Sequence, residues 1–197
     1  SVFLPLLGSF QASNALCALG IVLASGVHAR AAVAALAGLK SVRGRMELVG
    51  RHTNGARVYV DYAHTPDALR AALAALRPHT DGDLHVIFGC GGDRDQGKRH
   101  EMGKIAQVIA DRVIVTDDNP RRESPAAIRQ AILKSCPGAQ DVADRQEAIL
   151  RAVSTLAPGD ILLVAGKGHE QGQIVRDRII PFDDVSVCRD ALAEVDG

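Results

Sequence analysis

Tryptophan is absent, aromatic residues make up 3% of the 197 residues, and neither sign of charge is in excess, with 23 Lys and Arg against 23 Asp and Glu. Scarce aromatics disfavour stacking platforms for bases or sugars. Balanced charge removes the basic footprint of a chain that binds nucleic acid or an acidic membrane regardless of sequence. The four cysteines, Cys17, Cys90, Cys136 and Cys188, never form C-x-x-C, so neither a zinc site nor a disulfide framework has support, and a reducing cytoplasm is the expected setting. Residues 1–27 are apolar but interrupted by Pro5, Gly8, Gln11, Ser13 and Asn14, with no basic segment ahead, and so read as neither a signal peptide nor a membrane span. The chain opens at Ser1 in what reads as the middle of a strand, and is expected to be a piece of something longer. What remains is 47% hydrophobic content, ample for a buried core. A small charged partner is expected.

The periodicity then organises the chain. Leu16, Leu19, Val22 and Leu23 recur at helical spacing over 14–25, Gly26 closes the run, and 29–39 repeats the pattern, which predicts two Ala-rich, mostly buried helices. Residues 40–45 carry Gly44 and no periodicity, as a linker does. Strands are predicted at 46–49 and 57–61 about a turn at Asn54-Gly55. Thr65 then caps a helix with Pro66 in its first position and Leu69, Leu73 and Leu76 on its buried stripe. Further strands at 84–88, 112–116 and 160–165 alternate with helices bearing Met102, Ile105, Ala106 and Ile109, then Ser124-Pro125, then Asp144 with Glu147. A hairpin at Val175 and 179–181 and a last helix after Asp184 close the chain. Such alternation specifies an α/β fold, a doubly wound, mostly parallel sheet covered on both faces.

Ligands in open α/β sheets sit at the carboxyl ends of strands, which selects four loops. The loop after Phe88 lacks the third glycine of G-x-G-x-x-G, where Arg94 stands, and its shifted frame from Gly92 to Arg99 ends in Arg where a phosphate loop needs Ser or Thr. Its glycines serve either backbone geometry or the projection of Arg94 toward an anion. Asp118-Asn119-Pro120-Arg121 reads either as an Asx turn or as a carboxylate, amide and guanidinium set for a ligand bearing both ammonium and carboxylate. Lys167, His169 and Glu170 form a solvated turn, or Glu170 accepts from a ligand amine. Asp61 at a strand end suits ribose hydroxyls, and His64 is either a base or a capping residue. No Ser/His/Asp or Cys/His set and no histidine pair with metal-ligand spacing is present.

Taken in order, Gly44-Arg45-Met46-Glu47, Asp61-Tyr62-Ala63-His64-Thr65-Pro66-Asp67-Ala68-Leu69, Gly91-Gly92-Asp93-Arg94-Asp95 with Gly97-Lys98-Arg99, Asp118-Asn119-Pro120-Arg121 and Gly166-Lys167-Gly168-His169-Glu170 closely resemble the Mur ligase family. The resemblance spans essentially the whole chain and is strongest to members that add meso-diaminopimelate. It implies that residues 1–44 end a central ATP-binding domain and that 45–197 form the Rossmann-like C-terminal domain. It further implies an ATP-dependent amide ligase of peptidoglycan precursor synthesis. ATP phosphorylates the D-glutamate side chain of UDP-MurNAc-L-Ala-D-Glu, the amine of meso-diaminopimelate attacks the acyl phosphate, and Mg2+ and basic side chains neutralise the anionic charge.

On the matching motifs, the resemblance assigns meso-diaminopimelate to Arg94, Asp118, Asn119, Pro120, Arg121, Gly166 and Glu170. Arg121 and Arg94 hold the distal carboxylate, and Glu170 and Asp118 face the ammonium. It assigns ATP phosphate to Arg45 and ribose to Asp61, with His64 nearby, and gives no residue of this chain a metal or the chemical step. His100 departs from the Pro expected after Gly97-Lys98-Arg99. A UDP-sugar domain, a Thr-Asn-Gly-Lys-Thr phosphate loop and a carbamylated lysine with its magnesium ligands are missing from these residues, so the chain alone is expected not to turn over. Its first 40 residues are then expected to expose an apolar face. The alternatives are a lysine-adding or folylpolyglutamate-synthase-like ligase, which the Asp118 to Arg121 motif opposes, and a non-catalytic ligand-binding module. No nucleic-acid or membrane partner is expected.

Overall fold

Short aliphatic runs flanked by glycine and polar turns make strands that are covered on both faces, and these runs form the centre of the molecule. The computed structural model describes residues 2–196. Strands β1 (Glu47–Arg51), β2 (Arg57–Asp61), β3 (Leu84–Phe88), β4 (Arg112–Val115), β5 (Gln140–Asp141) and β6 (Ile161–Ala165) form one six-stranded sheet in the order β1-β2-β6-β3-β4-β5. β1 runs antiparallel to β2, and the other pairings are parallel. The doubly wound α/β class read from the sequence is the observed one, with an antiparallel strand added at one edge.

Side chains alternate along each strand, and the two faces bury different helices. Leu84, Val86 and Phe88 face α3 (Pro66–Leu76), α4 (Gly97–Ile109) and α5 (Pro125–Leu133). Val58, Val60, Ile87 and Leu162 face α6 (Arg145–Ser154) and α7 (Asp184–Asp196). The predicted caps are in place. Thr65 accepts from the Ala68 amide at 3.3 Å, Ser124 from Ala127 at 3.5 Å and Asp144 from Glu147 at 2.8 Å. A separate hairpin, β7 (Gly172–Val175) with β8 (Arg178–Pro181), follows β6.

Three expectations are corrected. Ser1 lies outside the described residues, and residues 2–5 are irregular instead of strand. Helix α1 runs Ser9–Ala24, starting ahead of Asn14, because Gly8 turns the chain with φ +99° and no side-chain cap fixes the start further along. With α2 (Ala29–Ala35) and a 3-10 turn at Leu36–Gly38, it was expected to be mostly buried. Only Ala15 and Ala32 are buried there, while Leu16 is 66% and Ile21 69% exposed, because only Leu7 and Phe10 reach the core below. Strand β5 was not read from the sequence, since Gln140 and Asp141 are both exposed and carry no apolar signal.

Candidate functional site

The sheet order sets β2, β6, β3 and β4 side by side, so the loops that leave their carboxyl ends converge on one edge of the molecule. The Gly166 amide donates to the Asp61 carbonyl at 3.1 Å, and the Thr116 amide to the Phe88 carbonyl at 3.0 Å, which ties each loop to its neighbour at its root.

Asp118, Asn119 and Pro120 are buried at the end of β4. The Asn119 amide is fully oriented: Nδ2 donates to Glu170 Oε2 at 2.9 Å, while Oδ1 accepts from the Ile174 amide at 2.9 Å and from Lys167 Nζ at 3.0 Å. Lys167 is wholly buried and also lies 3.3 Å from Glu170 Oε2 and 3.7 Å from Asp118 Oδ1. Gln173 holds the Asp118 carbonyl at 2.7 Å. A side chain at Gly166, whose φ is +118°, would place its Cβ 2.8 Å from Asp118 Oδ2, so glycine keeps that carboxylate oxygen open.

Arg121 adopts a left-handed backbone, φ +49°, and bridges to Val175 of the hairpin, its amide donating to the Ile174 carbonyl at 3.0 Å. Its Nη1 donates to the Gly92 carbonyl at 2.9 Å. A Cβ on Gly91 would lie 2.7 Å from that Nη1, and one on Gly92 would lie 2.0 Å from the Pro120 carbonyl oxygen. The glycines of the β3 loop therefore make room for Arg121 and Pro120, and Arg94 of the same loop is exposed. Buried Arg99 supports this loop with two hydrogen bonds to Glu123, at 2.8 and 2.9 Å, while Glu123 also accepts from the Asp93 amide at 2.6 Å. The Arg99 guanidinium holds the Glu123 carboxyl below the usual carboxylate range.

Arg45, Asp61 and His64 gather beside this pocket, around Tyr62. The Arg45 guanidinium stacks 4.4 Å over the Tyr62 ring, with the His64 and His169 rings at 4.4 and 5.2 Å from it. Asp61 accepts from the Met46 amide at 2.7 Å and the Ala63 amide at 2.8 Å. Burial nonetheless pushes its carboxyl up, against those two amides and the nearby Arg45. The His64 ring nitrogen Nδ1 lies 2.7 Å from the Tyr62 carbonyl, and Lys98 donates to the His64 carbonyl at 2.9 Å. Arg45 and Asp61 line a cleft of about 580 Å3 between α1 and α3.

Beneath the site, Arg145 at the start of α6 and Asp184 at the start of α7 form a wholly buried bidentate pair, at 2.7 and 2.8 Å, and Arg145 also donates to the Ala165 carbonyl at 2.9 Å. Burial pushes the Cys90 thiol up to about 12, which leaves it inert as a nucleophile. Among the described residues, no group of three or more His, Cys, Asp or Glu is placed to hold a metal ion.

Of the residues singled out by sequence, the structure brings Asp118, Asn119, Arg121, Gly166 and Glu170 together, with Pro120 behind them. It sets Arg45, Asp61 and His64 in an adjoining cluster and leaves Arg94 exposed outside both hydrogen-bonded groups. Sequence reasoning did not select Lys167, Tyr62, Arg99 or Arg145. A lysine between two glycines carries no local sign of burial; the available clue was the paired carboxylates at Asp118 and Glu170, which need a cation when desolvated.

Residues 44–168 match the family model described as Mur ligase, glutamate ligase domain. The chain is 58% identical over 193 residues to the UDP-N-acetylmuramoyl-L-alanyl-D-glutamate–2,6-diaminopimelate ligase of Zymomonas mobilis, covering 96% of this chain and 40% of that protein. It is 55% identical to the ligase of the same name from Caulobacter vibrioides, covering 98% and 40%. A solved structure bearing that ligase name matches with a TM-score of 0.76 and 39% identity over 98% of this chain and 40% of that one. The chain thus spans about 40% of the length of the relatives it matches. With a family model covering more than half of its residues and these motifs in their loops, the chain belongs to the Mur ligase family.

Proposed function

We propose that this chain is the amino-acid-binding portion of an ATP-dependent ligase that joins meso-diaminopimelate to UDP-MurNAc-L-Ala-D-Glu in peptidoglycan precursor synthesis. Residues 1–44 then end the central ATP-binding domain, and 45–197 form the C-terminal domain. The observation that carries this reading is the gathering of Asp118, Asn119, Arg121, Gly166 and Glu170 at the sheet's carboxyl edge. The names of the relatives at 55–58% identity agree with it.

In this reading each residue acts through charge and position. Asp118 Oδ2 and Glu170 Oε1 accept from the ammonium of the distal amino-acid centre. Arg121, with Nε and Nη2 left over from its bond to Gly92, forks onto the adjoining carboxylate, and Arg94 closes over it from the loop. Lysine lacks that carboxylate and would leave a desolvated guanidinium unpaired. The held ligand presents its other amine to the acyl phosphate formed when ATP phosphorylates the D-glutamate side chain. Amine attack gives a tetrahedral intermediate, and loss of phosphate leaves the amide. Arg45 suits the ATP phosphates, since its guanidinium is exposed, and Asp61 suits the ribose, since each carboxylate oxygen has taken only one amide. His64 stands nearby. Mg2+ finds no ligand set among the described residues. Among the described residues no helix is long and apolar enough to cross a membrane, and a cytoplasmic setting goes with the proposal.

The test is calorimetric titration of the 197-residue chain with meso-diaminopimelate and L-lysine, alongside an Arg121→Ala variant. Binding selective for diaminopimelate, weakened about 10- to 100-fold in the variant, is expected from the loss of hydrogen bonds to a charged group. Equal binding of the two amino acids, binding indifferent to Arg121, or no binding at all overturns the assignment of the pocket to this chain.

A further inference from the structure

Lys167 is the one buried lysine among the described residues, and it lies directly beneath the pocket. A desolvated ammonium is retained only where anions or dipoles repay its lost hydration, and here three acceptors surround it: Asn119 Oδ1 at 3.0 Å, Glu170 Oε2 at 3.3 Å and Asp118 Oδ1 at 3.7 Å. It donates to Glu170 Oε2 and faces Asp118 Oδ1 as an ion-pair partner 3.7 Å away, and Glu170 Oε1 and Asp118 Oδ2 remain available. The Gly166 backbone leaves space in front of Asp118 Oδ2. The buried Arg145 beside Asp118 is matched by Asp184 and adds no net charge.

The balance of the pocket follows. Within the hydrogen-bonded set two carboxylates, Asp118 and Glu170, face two cations, Lys167 and Arg121, and that set is neutral; Arg94 is exposed outside it, where solvent screens its charge. A neutral pocket with separated signs complements a zwitterionic centre, one ammonium beside one carboxylate. Without Lys167 the same set carries one net negative charge and complements a lone ammonium. We infer that Lys167 is a specificity-determining residue: its buried charge makes the pocket select an amino-acid centre over a simple alkylammonium group. The inference rests on the proposed assignment of this pocket to meso-diaminopimelate. It differs from the role of Arg121, which touches the ligand carboxylate, since Lys167 acts through the two carboxylates it shares.

The test replaces the ammonium with an apolar side chain of similar length. Affinities of the 197-residue chain for meso-diaminopimelate and for 1,5-diaminopentane, which carries alkylammonium groups and no carboxylate, are measured for the wild type and for Lys167→Met, with thermal unfolding to show that the variant folds. The ratio of the two affinities is expected to move at least tenfold toward the diamine, whereas a lysine that only braces the loop weakens both ligands alike and leaves the ratio unchanged. An unchanged ratio in a folded variant overturns the inference and leaves the pocket assignment standing. Failure of the wild type to bind diaminopimelate overturns the assignment and the inference with it. Should Lys167→Met not fold, the wild type supplies the second measurement. The slowly exchanging ammonium resonance expected of this buried lysine shifts on saturation with diaminopimelate if Lys167 shares its acceptors with the ligand, and a resonance that does not move overturns the inference.

Discussion

Gly44 and Gly168 lie so close that neither can carry a side chain: a Cβ on Gly44 would sit 2.2 Å from the Gly168 carbonyl carbon, and one on Gly168 would sit 2.7 Å from the Gly44 carbonyl oxygen. Both backbones are left-handed, with φ of +65° and +53°. The segment that enters β1 is thereby pressed onto the loop that leaves β6. The cluster around Arg45 and the pocket around Glu170 share that contact, so a shift of one backbone is felt by both groups of residues.

Gly168→Ala is expected to lose roughly 1–2 kcal/mol to the left-handed backbone and about 1–3 kcal/mol more to overlap with Gly44 and Tyr62. Gly55→Ala is the control, since Gly55 also has a positive φ, +95°, but nothing lies within 4 Å of its Cβ position. Urea unfolding separates the two costs. Equal losses in the two variants would show that the Gly44 contact contributes nothing.

The Arg145–Asp184 pair predicts a pattern that an exposed ion pair would not give. Neither side chain is exposed, so Asp184→Ala strands a buried guanidinium and is expected to cost about 3–5 kcal/mol. Replacing both partners, Arg145→Met with Asp184→Leu, should restore most of that loss, because no charge is left without a partner. Denaturant unfolding of the single and double variants checks it. A double variant at least as unstable as the single one would mean that the bond from Arg145 to the Ala165 carbonyl, at 2.9 Å, matters more than the charge pair.

Acid should act on the β3 loop through Glu123. Its carboxyl is held below the ordinary 4.5, first by the Arg99 hydrogen bond and then by the Asp93 amide. A depressed carboxyl binds fewer protons in the folded chain than in the unfolded one. The stabilisation is therefore complete above the ordinary value and is lost as pH falls through the lowered one. Glu123→Gln should cost about 1–3 kcal/mol at neutral pH, with the gap from wild type closing as pH falls from the ordinary 4.5 through the lowered value. Asp61 and Asp117 are raised by burial and titrate with the opposite sign, which is why the difference from wild type is the quantity to measure. A gap that is constant with pH would detach the effect from Glu123 ionisation.

Much of the fold was legible because its signals are local and redundant. Leu84–Phe88 and Arg57–Asp61 appear at the boundaries read from the sequence, each an apolar run bounded by polar or glycine residues, and Thr65, Ser124 and Asp144 cap their helices as their side chains dictate. The strand-end rule located the pocket, since Asp118 follows β4 and Gly166 follows β6, and these two strands flank β3 only because β6 inserts next to it. Depth was not legible. Lys167 and Arg145 look like surface residues in sequence and are buried only because carboxylates from distant segments meet them. Burial of α1 was misread for the opposite reason: apolar composition promises a covered face, but covering it takes a partner surface, and over Leu16 and Ile21 the described residues supply none.

That exposed face makes the last prediction. Leu16 and Ile21 are 66% and 69% exposed on α1, and Phe3 nearby in sequence is 79% exposed, so apolar surface on this helical segment faces water in the isolated chain. Leu16→Lys with Ile21→Lys removes no buried contact, and exposed helix positions tolerate Lys, so thermal stability should change by no more than about 0.5 kcal/mol. Self-association, by contrast, should fall, because the charged variant no longer hides apolar area by pairing. Sedimentation across a concentration series distinguishes the two quantities. A variant that loses stability as well as association would show that Leu16 and Ile21 pack inward in solution, and that the helix is held more tightly against α3 than its exposure indicates.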